Sequence, residues 1–213
     1  MSHATEAPAA SPSPFIVRSA FAGLCVPGRH GRAEGPAGVT VAERTGLAMA
    51  SVLVRRGREA ELAEAVSAQF GLALPMTPMR AAGADVAFLW TGPGQWLAIA
   101  EPAAAAGFVA GLATALDGAA SVADQSHGRG VLRLAGPRLR DVLAKGIAVD
   151  LHPRAFGPGH VAATFCAHLD VLLWQIDAVP TFEIAVARGF AGSFWHWLEA
   201  SSAMIGLAVT PDA

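Results

Sequence analysis

The 213-residue sequence contains no tyrosine and only two cysteines, Cys25 and Cys166. Without tyrosine, a site built on a phenolic acid is excluded. The two cysteines lie far apart and lack the spacing of a metal site, so we expect two inert thiols in a reducing compartment. The seven histidines include no pair at metal-ligand spacing on one helix; His160 and His168, eight apart, are interpreted as surface or interface residues rather than zinc ligands.

Charged residues are also scarce, at 15% of the chain with a net charge of −2, whereas 53% of the residues are hydrophobic. The few basic residues are scattered, which argues against binding to nucleic acid because that requires a concentrated basic face. The high hydrophobicity indicates a surface partly covered by partners, the alternative being an alanine-rich genome bias.

Targeting and membrane segments are missing from the sequence. Residues 1–10 lack the basic and apolar regions of a secretory signal, and no run approaches the ~20 apolar residues of a membrane helix. We therefore expect a cytoplasmic protein that has no membrane partner.

No motif of a nucleotide-binding or hydrolytic enzyme is present. Gly92-Pro93-Gly94 lacks the third glycine and the following helix of a dinucleotide fingerprint, so it is interpreted as a turn. Asp124, Ser126 and His127 are triad residue types, but adjacency in sequence does not give triad geometry. The residues themselves therefore predict no catalytic, cofactor-binding or metal-binding group in this chain.

Residues 1–37 contain five of the 14 prolines among alanine, serine and glycine, and are expected to form an extended or partly disordered N-terminal arm. Residues 15–17, together with Phe21 and Leu24, interrupt this composition with apolar side chains. They are interpreted as anchors that lie either on a partner or across the core of this chain.

Regular patterns over residues 38–213 predict a single α+β domain. The first half is predicted to contain strands at 39–41, 47–54, 86–90 and 96–100, and helices from 58 to 70 and from 102 to 118. The second half is predicted to contain strands at 130–135, 161–168, 171–176 and 182–187, and helices over 137–145, ended by a left-handed Gly146, and 190–205.

The two halves show the same order of elements. The loops at 71–78 and 146–153 begin alike, each follows the first helix of its half, and each leads into a hairpin and a helix. We infer a duplicated strand–helix–hairpin–helix unit, with halves at about 38–118 and 119–207, the alternative being chance similarity between apolar-rich loops.

The polar cluster Asp124–Arg129 and the tryptophans of the last helix are not explained by folding alone. Trp195 and Trp197 point about 200° apart on a helix and cannot both face one core, so one of them is expected to be a surface anchor. The cluster precedes a predicted strand and is interpreted as a contact loop.

Several segments, in order, resemble the gamma subunit of heterotetrameric sarcosine oxidase. They are Pro27–Gly31, Gly38–Ser51, Thr91–Leu97, Asp124–Arg129 with Leu132–Pro137, Asp150–Phe156 and Ser193–Leu198. The resemblance covers nearly the whole chain and implies a fold akin to the folate-binding domain of the glycine cleavage T-protein.

The resemblance also implies a four-subunit enzyme that oxidatively demethylates sarcosine to glycine, with formaldehyde or methylenetetrahydrofolate and hydrogen peroxide as further products. In that family the alpha and beta subunits hold NAD, FAD, FMN and the tetrahydrofolate site, the delta subunit holds zinc, and the gamma subunit holds no known catalytic group.

This chain is accordingly expected to contact other subunits, and the candidate contact residues are Asp124, Gln125, Ser126, His127, Arg129, Gln95 and Trp195. One alternative is the equivalent subunit of N-methylglutamate dehydrogenase. The other is a free-standing folate-binding protein in which Asp124, Gln125 and Arg129 contact the ligand.

Overall fold

The computed structural model describes residues 18–211, and the apolar residues 15–17 of the predicted anchor lie outside that range. Within it the strands are β1 Gly28–His30, β2 Val39–Arg44, β3 Ala48–Val54, β4 Arg80–Ala82, β5 Val86–Gly92, β6 Gln95–Ala100, β7 Ala120–Asp124, β8 Arg129–Ala135, β9 Val161–Cys166, β10 Leu169–Gln175, β11 Phe182–Ala187 and β12 Leu207–Val209. The α-helices are α1 Glu59–Phe70, α2 Phe108–Ala115, α3 Leu139–Leu143 and α4 Ala191–Ser202.

The strands form two sheets. The larger has the order β1-β12-β2-β8-β11-β10-β9, and the smaller has the order β4-β5-β6-β3-β7. Neighbouring strands are antiparallel except for β12, which runs parallel to β2.

Three apolar clusters divide the domain into four layers. Between the sheets lie Met49, Leu97, Val131, Leu172 and Trp174. On the outer face of the small sheet α1 and α2 bury Leu62, Val66 and Leu112, and on the outer face of the large sheet α3 and α4 bury Val142, Leu143, Phe194 and Leu198. Each such side chain contributes roughly 1.5–3 kcal/mol through burial, so the helices are held mainly by their sheets.

The order of elements repeats, as the sequence indicated. β3-α1-β4-β5-β6-α2-β7 matches β8-α3-β9-β10-β11-α4-β12, and the spatial orders β4-β5-β6-β3 and β9-β10-β11-β8 are the same. The strand pairing places the units slightly differently from the expected halves, because β2 pairs with β8 of the second unit and β7 pairs with β3 of the first. The repeated units therefore span residues 48–124 and 129–209.

The predicted helices differ in how well their ends agree with the structure. Helix α1 ends as expected at Gly71, whose φ of 65° is left-handed and whose N–H donates to the carbonyl of Ser67 at 2.9 Å. The helix expected over 102–118 is instead a short 3₁₀ turn at Pro102–Ala104 followed by α2. The last two predicted helices are both shorter than expected.

Gly146 does not have the left-handed conformation that the sequence predicted. A Cβ built there would lie 2.7 Å from Cζ2 of Trp197, so the glycine is required by the close approach of α4 rather than by a helix stop.

The part of the N-terminal segment that the structure describes packs on this chain's own large sheet. Phe21 is fully buried in the core beneath α3 and α4. A Cβ on Gly130 would lie 2.5 Å from the Cβ of Ala20, so this glycine in β8 admits the segment. Nη2 of Arg188 donates to the carbonyl of Arg18 at 2.6 Å. For Phe21 the core interpretation is therefore confirmed.

Candidate functional site

A cleft of about 670 Å³ opens where the two sheets meet the N-terminal segment. Its walls come from Arg18–Ala20, from residues 43–49 at the end of β2 and the start of β3, from residues 107–110 at the start of α2, and from the residues that join β7 to β8. Four of the predicted contact residues line it: Asp124, Ser126, His127 and Arg129.

The connection between β7 and β8 is held by hydrogen bonds to β3. The Ser126 N–H donates to Oδ1 of Asp124 at 2.8 Å, which closes a tight turn. The Met49 N–H donates to Oγ of Ser126 at 3.0 Å, and the Gln125 N–H donates to the Met49 carbonyl at 2.8 Å. The pKa of Asp124 lies below its usual value, chiefly because its carboxylate accepts this backbone N–H of Ser126.

The residues of this connection do not form a catalytic triad. The Ser126 hydroxyl is engaged with the Met49 backbone, and the Asp124 carboxylate accepts a backbone N–H rather than an imidazole N–H. The His127 side chain is exposed, and its ring does not hydrogen-bond Asp124 or Ser126. A nucleophile–base–acid relay needs each side chain to hydrogen-bond the next, so this geometry does not support hydrolysis.

Arg129, the first residue of β8, lies between this cleft and a second one of about 370 Å³. Its Nε is buried and has no hydrogen-bond partner among residues 18–211. Burial lowers the pKa of its guanidinium, since desolvation disfavours the charged form. The predicted contact residue Gln95 lines the second cleft. Arg129 therefore borders both the cleft that contains Gln95 and the one that contains Asp124, Ser126 and His127.

Trp195 does not belong to this site. Only 4% of it is exposed, and it packs in the core beside Phe194, with its ring 5.9 Å from that of His30. Trp197 is half-buried and packs against Phe194, with ring centroids 5.5 Å apart. Trp195 is therefore a core residue in this chain, whereas Trp197 keeps part of its surface, so the expectation of one surface anchor among the two stays a prediction.

Sequence reasoning missed a buried ionic cluster between the sheets. Glu183 accepts hydrogen bonds from Nη1 of Arg44 at 2.6 Å, from Nε of Arg133 at 2.9 Å and from Nε1 of Trp174 at 2.9 Å. Arg44 also pairs with Glu101. The only available signal was that charges interrupt the otherwise apolar strands β2, β8 and β11.

No metal centre is found where the chain is described. In residues 18–211 no group of three or more His, Cys, Asp and Glu side chains is placed to hold an ion. His160 lies instead against Phe156, with ring centroids 5.4 Å apart. Over the same residues, no helix combines the length and apolar character needed to cross a membrane.

Comparisons with known proteins agree on one family. The model of the "Sarcosine oxidase, gamma subunit family" matches residues 56–204. The sarcosine oxidase gamma subunit of an Arthrobacter species is 43% identical over 137 residues, which are 63% of this chain and 66% of the relative, just under two thirds of its length. That of Corynebacterium sp. strain P-1 is 40% identical over 146 residues, 67% of this chain and 68% of the relative.

Solved structures extend the likeness to the fold. A chain of the heterotetrameric sarcosine oxidase from Corynebacterium sp. U-96, in complex with pyrrole 2-carboxylate, superposes with a TM-score of 0.74 at 30% identity, covering 89% of this chain and 96% of that one. The glycine cleavage aminomethyltransferase T of Bartonella henselae superposes with a TM-score of 0.56 at 15% identity over 83% of this chain and 48% of its own, which shows a shared fold. From its sequence and its four-layer fold alike, this chain belongs to the sarcosine oxidase gamma subunit family.

Proposed function

We propose that this chain is a non-catalytic structural subunit of a flavin-dependent heterotetrameric sarcosine oxidase in the cytoplasm. It would assemble with alpha, beta and delta subunits into an enzyme that oxidatively demethylates sarcosine to glycine, releasing formaldehyde or methylenetetrahydrofolate and hydrogen peroxide. The observation that carries the proposal is the superposition on a chain of a heterotetrameric sarcosine oxidase over 89% of this chain.

The chemistry of the described residues supports a contact role rather than a catalytic one. Ser126 and Asp124 are engaged in backbone hydrogen bonds that shape the β7–β8 connection, and the ionic cluster of Glu183 is buried between the sheets. As the resemblance to the family implies, we assign FAD, FMN, NAD, tetrahydrofolate and zinc to the other subunits of the proposed complex. The connection at Asp124–Arg129 presents the polar face that would meet one of them.

Coexpression with the other subunits tests this function directly. We expect the full set to form a stable complex of four different chains with sarcosine-dependent hydrogen peroxide production, and omission of this chain to lower the yield of assembled enzyme at least tenfold. Mass photometry and an oxidase assay measure the two quantities. A chain that stays a monodisperse monomer in the presence of the other three would contradict the proposal.

The same preparation separates the two candidate substrates. If the complex oxidises N-methylglutamate in preference to sarcosine, the chain is the equivalent subunit of N-methylglutamate dehydrogenase. Its structural role is then unchanged, because the substrate pocket is assigned to another subunit in either case.

A further inference from the structure

The Arg129 guanidinium is a half-buried cation without a counter-charge among residues 18–211. No carboxylate oxygen in residues 18–211 lies within 4.0 Å of its nitrogens, and its Nε is shielded from solvent without any acceptor. Partial burial of an ionised group is unfavourable unless the group is paired, so an acceptor that reached Nε would stabilise this side chain.

The carboxylates that line the neighbouring clefts are already engaged or lie apart from Arg129. Glu43 accepts the Ser19 hydroxyl at 2.9 Å and the Phe21 N–H at 3.2 Å, and Asp124 accepts the Ser126 N–H. Asp170, on the second cleft, is exposed and forms no ion pair with Arg129. None of them neutralises the guanidinium.

Other basic groups add to the positive charge of the larger cleft. Arg18 and Arg188 line it, and neither forms an ion pair with any residue in 18–211; Arg188 donates only to backbone carbonyls. Arg44 also lines the cleft, but its charge is balanced by Glu101 and Glu183. Arg18, Arg129 and Arg188 therefore outnumber the two carboxylates without an ion pair, Glu43 and Asp124, and the cleft keeps a net positive charge.

Part of the wall of this cleft is apolar. It includes Leu47, Met49, Phe108, Val109 and Val131. A group that fits both the basic and the apolar part of the wall has a carboxylate next to an aliphatic or aromatic part. An aspartate or glutamate flanked by an apolar residue has this chemistry. Guanidinium binds carboxylate through two parallel N–H···O bonds, which fixes the geometry of such a contact.

Arg129 is also held in place before any partner arrives. Its backbone pairs with Ala187 of β11, the adjacent Gly130 packs under Phe21, and the Arg188 N–H donates to the Gly128 carbonyl at 2.9 Å. Because this backbone is fixed, only the side chain of Arg129 has to be ordered on binding, which favours affinity.

From this charge complementarity we infer that Arg129 receives an acidic side chain from another subunit, whose flanking apolar residue occupies the cleft. The inference rests on the proposed function, because it names the chemistry of the contact that the assembled enzyme would make. It places the salt bridge at the start of β8, between the two sheets.

The first experiment measures assembly of the complex with charge variants of the full chain. We expect Arg129→Glu to weaken assembly at least tenfold, because it sets like charges against each other, and Arg129→Lys to weaken it less. Arg56→Glu, at an exposed arginine of the β3–α1 turn, is the matched control and should assemble as the wild type does. Circular dichroism and thermal unfolding of each free chain confirm that the variants fold.

The second experiment identifies the partner group. The chain contains a single lysine, Lys145, so Arg129→Lys introduces a second one that a carbodiimide can couple to a carboxylate in contact with it. We expect mass spectrometry of the treated complex to find the introduced lysine joined to an aspartate or glutamate of one partner subunit. Arg56→Lys should give no such product.

Different failures have different meanings. The inference about a partner's acidic side chain is overturned if the wild-type chain assembles but Arg129→Glu assembles equally well. It is also overturned if the lysine introduced by Arg129→Lys is joined only to this chain or to a small carboxylate. If the wild-type chain binds no other subunit, the proposed function itself fails.

Discussion

At the scale of single residues, Cys166 shows how burial changes reactivity. The thiol lies at the end of β9 in the core under α3 and α4, with no exposed surface. Burial raises its pKa from 9.0 to about 12, because the apolar surroundings disfavour the thiolate. Since the thiolate is the nucleophile, the folded chain should hold this cysteine inert.

Alkylation tests this prediction. At pH 9 iodoacetamide should modify Cys166 at least a hundredfold more slowly in the folded chain than in the chain unfolded by guanidinium chloride, as measured by mass spectrometry of the peptides. The raised pKa also means that the neutral thiol stabilises the fold fully below pH 9 and progressively less as the pH rises toward 12. Equal rates in both states would contradict the buried position.

At the scale of elements, α3 and α4 are joined by contacts that the sequence pattern did not predict. The predicted role of Gly146 was local, a left-handed stop, whereas its actual role is to let Trp197 of the distant helix α4 approach the backbone. In the sequence, a glycine that ends a helix and a glycine that admits a tryptophan from another helix give the same pattern. Only the tertiary packing distinguishes them.

Replacing this glycine should be costly. We expect Gly146→Ala to destabilise the chain by about 1–3 kcal/mol, because the new methyl group overlaps the Trp197 ring and forces it to move. Urea denaturation measures the free energy of unfolding. Gly111→Ala is the control, since a Cβ at this position inside α2 meets nothing within 4 Å and should stabilise the helix by about 1 kcal/mol. A wild-type midpoint for Gly146→Ala would refute the packing argument.

An element could be predicted from the sequence when the residues that specify it are close together in the chain. Helix α1 and the β5–β6 hairpin were predicted because apolar spacing and turn glycines lie within the elements themselves. The three-residue strands β1, β4 and β12 were missed, since each forms an edge or exists only through pairing with a distant segment. The polar connection Asp124–Arg129 was found because it is contiguous.

At the scale of the whole molecule, the ionic cluster ties the two sheets together. Arg44, Arg133 and Glu183 belong to the large sheet, whereas Glu101 follows β6 of the small one. Arg44 and Glu183 are 139 positions apart in sequence, which explains why no sequence pattern revealed the pair. Arg80 of β4 also faces the cluster, and its pKa is lowered mainly by burial although Glu183 and Glu101 oppose the shift.

Removing the Glu183 carboxylate should therefore lower the stability of the whole domain. Glu183→Gln keeps the shape but removes the counter-charge that Arg44 and Arg133 share, and because the buried Arg44 keeps only Glu101, we expect a loss of about 3 kcal/mol in the free energy of unfolding. Glu101→Gln, whose side chain is 38% exposed, is the matched control and should cost about 1 kcal/mol or less. Chemical denaturation monitored by tryptophan fluorescence compares the two, with Trp174 reporting because its indole N–H donates to Glu183. If both variants unfolded at the wild-type denaturant concentration, the cluster would be incidental to stability, and the sheets would be held by their apolar faces alone.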